Sequence, residues 1–427
     1  MAIPDIQEPT PCPDAFFEGG EYNEASRAAL LLLLGSLLRP EWRGELLSWY
    51  ESSMYGEVVE RFGRFPLPAI RPLELNGRLS SEGINGALDI FAKEGSSARE
   101  ITGQMVSMLY DDHQKNIDTQ SIAGAILAIS LFSGIPLVRV SAAVSALDTF
   151  DPDDSGISLY TIFPKRVRKE LDLTPWAGEF SSNLYYLARS ILSVYSRFGD
   201  NPDAISIAET ALARVDNRSG DSHSSTKENI GKNDFHTPDS HLEVRALLIH
   251  GTMPINPFVS ATLDEWWSPY LPGRLFEHVE KKVPRRDIYG EDDTFEWEGN
   301  YNSRTREYAA KNLRLWLNDR SQYIFDVAPH SHGNNLVFQA LNQGAEIRNM
   351  LAMSCPVHTA WLPKRSQYNN IESVRVYLDL VIIADRGGQS FPKDMGVAEH
   401  YVGWFGHGKS HEPDIWDKYG ISKLFQS

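Results

Sequence analysis

The chain has 427 residues and a mass of 48.1 kDa, a length that suits two or three domains. Hydrophobic residues make up 42% and charged residues 23%, which supports a buried core and excludes a wholly disordered or collagen-like chain. The 41 Lys+Arg against 57 Asp+Glu give a formal charge of −16, which disfavours docking on nucleic acid or anionic lipid, and two cysteines (Cys12, Cys355) exclude a disulfide-rich scaffold.

Met1–Gly20 is acidic and contains proline. It lacks a basic segment followed by an apolar one, so no ordinary signal peptide is expected and the expected location is cytoplasmic. These first 21 residues read as a tail, and residues 22–215 read as a mostly α-helical region. Ala25–Leu38 is rich in Ala and Leu, the strong helix formers. Ser97–Tyr110 carries Ile101, Met105, Met108 and Leu109 near helical spacing. Ile122–Val138 has 17 residues without a charge, but Ser130, Ser133, Gly134 and Pro136 interrupt it. It reads as a buried helix followed by a turn, with membrane contact as the alternative. Asp151–Asp154 reads as a solvated turn and Lys165–Lys169 as a solvated helix face. Asn183–Tyr195 places Leu184, Leu187, Ile191 and Leu192 on one helix face. Asn201-Pro202 reads as an N-cap followed by proline at the first helical position. The helical region has room for a protein partner, although helical patterns alone carry no chemistry.

Asp216–Asp234 is dense in Ser, Asp, Asn, Gly and Lys, with Ile230 as its only aliphatic residue. Residues 216–240 therefore read as a polar linker or loop that separates the helical region from a domain over 241–427. There the pattern alternates. Strands are expected at Val244–Ile249, Asp293–Glu298, Tyr323–Val327, Arg348–Met353, Ser373–Leu378 and His400–Phe405. Helices are expected at Ala261–Trp267, Gly273–Lys282, Ser303–Leu317, Gly333–Leu341 and Pro413–Leu424. Alternation of this kind implies the α/β class with a mainly parallel sheet.

The strongest local signal is Pro329-His330-Ser331-His332-Gly333, set between an apolar strand and a helix. A sharp turn there projects a serine Oγ above the sheet at a helix N-terminus, where the dipole favours developing negative charge. On these residues, 243–424 resembles the α/β-hydrolase family, and most closely its lipases and esterases with an H-S-H-G nucleophile elbow. The resemblance implies Ser331 as nucleophile and His250-Gly251 as an oxyanion loop. It further implies Asp379 as acid and His407 as base, in the family's order Ser…Asp…His. The backbone N–H of His332 and one within Gly251, Thr252 and Met253 would be the oxyanion donors. Pro329 stands where the family usually has glycine, and Asn334 where a second small residue is common. The two strands that usually precede the oxyanion strand have no evident counterpart.

Alternatives stand beside each residue. Ser331 also fits an N-cap and His250 a core histidine. Asp385, before Arg386-Gly387-Gly388, competes with Asp379 as the acid. His411 competes with His407 as the base, and His400 is a weaker third. His330-x-His332 with His407-x3-His411 permits a metal site, although no cysteine pairs assist it. No phosphate-binding glycine loop is present. The expectation is thus a serine esterase or lipase acting on a small-molecule or lipid ester, without cofactor, metal or nucleic acid. The alternatives are an acyltransferase using the same triad and a catalytically inactive interaction module. Trp266 and Trp267 are expected either to line an acyl pocket or to pack in the core.

Overall fold

A computed structural model describes residues 24–25, 28–29, 31–32, 127, 130–131, 133–149, 184–218, 243–252, 266–267, 273–283, 288, 294–300, 303–376, 379–403 and 405–426. The chain forms two compact units. One comprises residues 1–10, 213–382 and 387–427, and the other residues 11–212 and 383–386.

The second unit is helical among its described residues. Leu127 and Ser130 are helical and buried. A turn residue, Leu131, and a bend at Gly134 and Ile135 follow, and there the Ser133 hydroxyl accepts the Ile135 N–H at 3.2 Å. Pro136 then opens α1 (Pro136–Thr149) instead of ending a helix. Its missing N–H costs nothing at a first helical position. α2 (Leu184–Phe198) buries Leu184, Leu187, Ile191 and Leu192 as its periodicity predicts. Asn201 Oδ1 accepts the Ala204 N–H at 3.0 Å, so it caps α3 (Pro202–Arg218). No helix among the described residues is long and apolar enough to cross a membrane. The segments Ser97–Tyr110, Asp151–Asp154 and Lys165–Lys169 lie outside the described residues.

The first unit is an α/β layer structure. Its sheet contains β1 (Glu243–Ile249), β2 (Tyr323–Pro329), β3 (Asn349–Met353), β4 (Asn370–Arg375) and β5 (Ala398–Tyr401). All pairs are parallel, and the spatial order equals the chain order. The helices are α4 (Leu275–Lys282), α5 (Ser303–Asn318), α6 (His332–Asn342), α7 (Leu380–Asp385) and α8 (Pro413–Tyr419). β3 is buried at every position, as expected of a central parallel strand covered on both faces.

Several expectations need correction. Thr294–Glu298 joins no strand ladder. Phe295 is buried and Glu296 and Glu298 are exposed, while Ile288 makes a bridge to Ala246 on β1. The inward and outward alternation that suggested a strand is present, but the backbone pairing is not. Pro413–Leu424 is not one helix either. α8 stops at Tyr419, Gly420 adopts φ 64°, and a 3-10 turn covers Ile421–Gln426. Of Ala261–Trp267, only Trp266 and Trp267 are described, and they form a turn. The polar stretch begins inside α3, which continues to Arg218.

Pro329 leaves a visible mark on the sheet. The β2–β3 ladder pairs Asp326 with Asn349 and Val327 with Met350, then lapses, and resumes as a bridge between His330 and Met353. Proline has no N–H to offer β3, so the ladder opens at its position. On the other side β2 stays in register with β1 as far as Ile249 and Pro329.

Candidate active site

The C-terminal ends of β1, β2, β4 and β5 all open at one edge of the sheet, where open α/β sheets bind ligands. β2 ends in the turn that carries Ser331. This residue has φ 52° and ψ −130°, although it has a side chain. Such a conformation costs on the order of 1–3 kcal/mol and persists only where its surroundings enforce it. They do so through three backbone bonds. The His330 N–H donates to Ile249 C=O at 2.9 Å, the Ser331 N–H to Met353 C=O at 2.9 Å, and the Asn334 N–H to Ser331 C=O at 3.0 Å. The Asn334 side chain adds bonds to the carbonyls of Ser331 at 2.8 Å and Met353 at 3.0 Å. A larger residue than the usual small one is therefore accommodated here by hydrogen bonds. Ser331 is not an N-cap in the hydrogen-bonding sense, because its side chain caps no helical N–H.

Two glycines allow the turn to close. A Cβ on Gly333 would sit 2.6 Å from His250 O and 3.1 Å from Ile249 O. A Cβ on Gly251 would sit 2.7 Å from Ser331 Cβ and 3.0 Å from His330 O. The His250-Gly251 pair thus lies directly against the Ser331 turn. His250 is buried between Trp267, with ring centroids 4.5 Å apart, and Trp297, at 5.6 Å. Its Nδ1–H donates to Gly251 C=O at 2.8 Å, and its own C=O accepts the Trp297 indole N–H at 3.0 Å. Burial lowers its pKa to about 4, so the ring is neutral. Thr252 follows at the end of the described stretch, and Met253 lies outside it.

Asp379 and His407 meet. The His407 Nδ1–H donates to the Asp379 carboxylate, with Oδ1 at 2.9 Å and Oδ2 at 2.8 Å. Asp379 is fully buried, and its Oδ1 also accepts the N–H groups of Val381 at 3.1 Å and Ile382 at 3.2 Å, at the start of α7. A buried carboxylate is held here by a helix N-terminus and one imidazole. The Gln389 amide accepts the Asp379 N–H at 3.1 Å, which fixes the backbone of the acid.

The competing residues lie elsewhere. Asp385 ends α7, within the four residues that belong to the second unit. His400 pairs with Glu372 at 2.7 Å between β5 and β4. His411 stacks on Trp266 at 5.1 Å and meets His330 edge to face at 4.7 Å, and burial beside His407 lowers its pKa to about 3. Three of the four histidines of the metal alternative pack together, while the fourth, His332, is bonded to other residues. The His330 ring packs against His407 and His411. His332 Nδ1 instead accepts hydrogen bonds from Arg306 and from the Asn335 amide at 3.1 Å. Trp266 and Trp267 are buried, which fits the core-packing expectation.

The sequence reading missed several residues that shape this site. Arg306 is buried on α5 and reaches His332 from there. Ser354 has φ 42° and bonds to His407. Gln389 reads as part of a turn. None lies in a motif, and positive φ at a serine leaves no trace in composition. No protein-family model, no curated protein and no solved structure matches this chain.

Proposed function

We propose that this chain is a serine hydrolase of the α/β-hydrolase type that cleaves carboxylic esters, lipid esters included, through Ser331, His407 and Asp379. One observation carries this reading. A serine in a strained strand-to-helix turn shares a sheet edge with a histidine whose Nδ1–H is held by a buried carboxylate.

The chemistry follows from that arrangement. With Nδ1–H bound to Asp379, His407 has Nε2 free of a proton, and Nε2 takes the proton of Ser331 Oγ as this attacks the ester carbonyl. The imidazolium so formed is stabilised by the Asp379 carboxylate, which stays ionised. Negative charge on the former carbonyl oxygen is met by the backbone N–H of His332 and by one in the Gly251–Met253 loop. Each such donor supplies about 3 kcal/mol of transition-state stabilisation. Collapse breaks the ester C–O bond, and His407 returns its proton to the departing alkoxide. Water, activated by His407 in the same way, then cleaves the acyl-enzyme. Neutral His250 and His411 beside the site add no positive charge of their own.

Hydrolysis of p-nitrophenyl esters over a chain-length series tests the proposal. The wild-type protein is expected to turn over with or without a chelator, and Ser331→Ala to lose about 10⁴-fold or more in kcat. Equal activity in Ser331→Ala, or activity lost to the chelator alone, contradicts it.

A further inference from the structure

The backbone carbonyl of His407 accepts two side-chain hydrogen bonds. His330 Nε2–H donates at 3.1 Å and Ser354 Oγ–H at 2.9 Å. A carbonyl only accepts, so the His330 ring carries its proton on Nε2. Burial and the neighbouring His411 and His407 rings push its pKa well below the usual value, which keeps it neutral. With its single proton on the His407 carbonyl, Ser354 Oγ accepts from Ser410 Oγ at 2.8 Å.

Both donors adjoin the turn that carries Ser331. His330 precedes it in the chain. Ser354 follows Met353, whose carbonyl receives the Ser331 N–H. Ser354 is fully buried at φ 42°, a conformation in which glycine is relaxed and serine is not. The Ser354 N–H donates to Val374 C=O at 2.9 Å, which ties this strained residue to β4. A strained side chain at this point has a function if its hydroxyl is needed, and the hydroxyl reaches His407.

We infer that His330 and Ser354 are positioning residues that clamp the carbonyl of His407 to the Ser331 turn, and so keep the imidazole aligned on Asp379. The catalytic part of this inference rests on the serine-hydrolase reading above; the positional part does not.

The test uses the full-length protein with His330→Phe, His330→Gln, Ser354→Ala and Ser354→Gly. Phenylalanine keeps a ring and removes the donor, whereas glutamine restores an N–H near the position of Nε2. Two readouts are taken. Proton NMR follows the low-field His407 Nδ1–H resonance and the titration of the His407 ring, neither of which requires turnover. Hydrolysis of p-nitrophenyl butyrate separates kcat from KM. His330→Phe and both Ser354 variants are expected to broaden the Nδ1–H signal and shift the titration. Their kcat should fall about 10²-fold with KM little changed, the cost of roughly 1 Å of misalignment. His330→Gln should recover much of both. Ser354→Gly should melt no lower than Ser354→Ala and yet lose the same signal, which a packing role alone does not produce. Should His330→Phe fail to fold, the Ser354 pair and His330→Gln carry the test. An unchanged Nδ1–H signal and titration in the folded variants overturns the inference, even if the wild type proves to be an esterase. Shifted signals in a protein that hydrolyses no ester retain the clamp and overturn the hydrolase reading.

Discussion

Ser331 and Gly333 set tight steric terms where β2 turns into α6. The serine sits at φ 52°, and two residues later the helix backbone passes so close to β1 that a Cβ would meet His250 O at 2.6 Å. That neighbour is backbone and cannot swing aside. Gly333→Ala is therefore expected to cost about 2–3 kcal/mol or to prevent folding. Gly396→Ala offers the contrast. It has a positive φ of 66° but nothing within 4 Å of the added Cβ, so only the conformational cost of about 1 kcal/mol remains. Urea midpoints of the two variants check this, and equal losses would refute the close approach. The buried histidines add a pH term. In the unfolded chain a histidine titrates near 6.5, whereas His250 and His411 do so at about 4 and about 3. Below pH 6.5 the unfolded state thus binds more protons. Stability is full above that pH and is lost as pH falls towards 4 and then 3. The term for His250 alone is on the order of 3 kcal/mol. Urea unfolding between pH 7.5 and pH 4 measures it. The midpoint should fall steadily, and a flat profile would show that the rings are not held neutral.

At the scale of elements, β2 is joined to the start of β3 by an ion pair between a buried carboxylate and a partly exposed arginine. Arg348 donates from Nε to Asp326 Oδ1 at 2.9 Å and from Nη2 to Oδ2 at 2.6 Å, and Asp326 is 1% exposed. Removing only the arginine takes the guanidinium away from a buried carboxylate. Arg348→Met is expected to destabilise by about 3–5 kcal/mol, while the double change Asp326→Leu with Arg348→Met recovers most of it. Thermal melts of the three proteins decide, and additive losses would contradict the pairing. This ion pair was not legible in the sequence, where Asp326 is one polar residue in an apolar strand. The strands themselves were legible because parallel strands buried on both faces read as apolar runs, as in Leu247–Ile249 and Leu351–Met353. Asn201 was legible as a cap because the side-chain acceptor and the following proline are both local features. Thr294–Glu298 misled because burial alternates there without a ladder. Gly420 was passed over as a helix stop, although a left-handed glycine is a common one. The residues of the site were legible by their place after successive strands. The acid and base could be ranked but not fixed, since their pairing depends on distances between segments far apart in the chain.

For the whole molecule, the division into units does not follow the chain. Ile383–Arg386 comes from the middle of the α/β sequence but belongs to the helical unit. There Arg386 Nη2 and Nε bond Asp148 Oδ2 at 2.6 and 3.1 Å, and Arg386 Nη1 bonds Leu32 C=O at 3.0 Å. Asp148 and Arg386 lie 238 positions apart and are both buried, a contact that no local pattern announces. Asp379 immediately precedes α7 and Arg386 immediately follows it, so one short helix separates the two buried charges in the chain. The central claim concerns Ser331, and covalent labelling of the full-length protein tests it most directly. A fluorophosphonate probe is added to the folded protein and the modified peptide is mapped. The account predicts one adduct, on Ser331, absent in Ser331→Ala and strongly slowed in His407→Ala and Asp379→Asn. A folded protein that takes no label, or takes it equally well in Ser331→Ala, would contradict it.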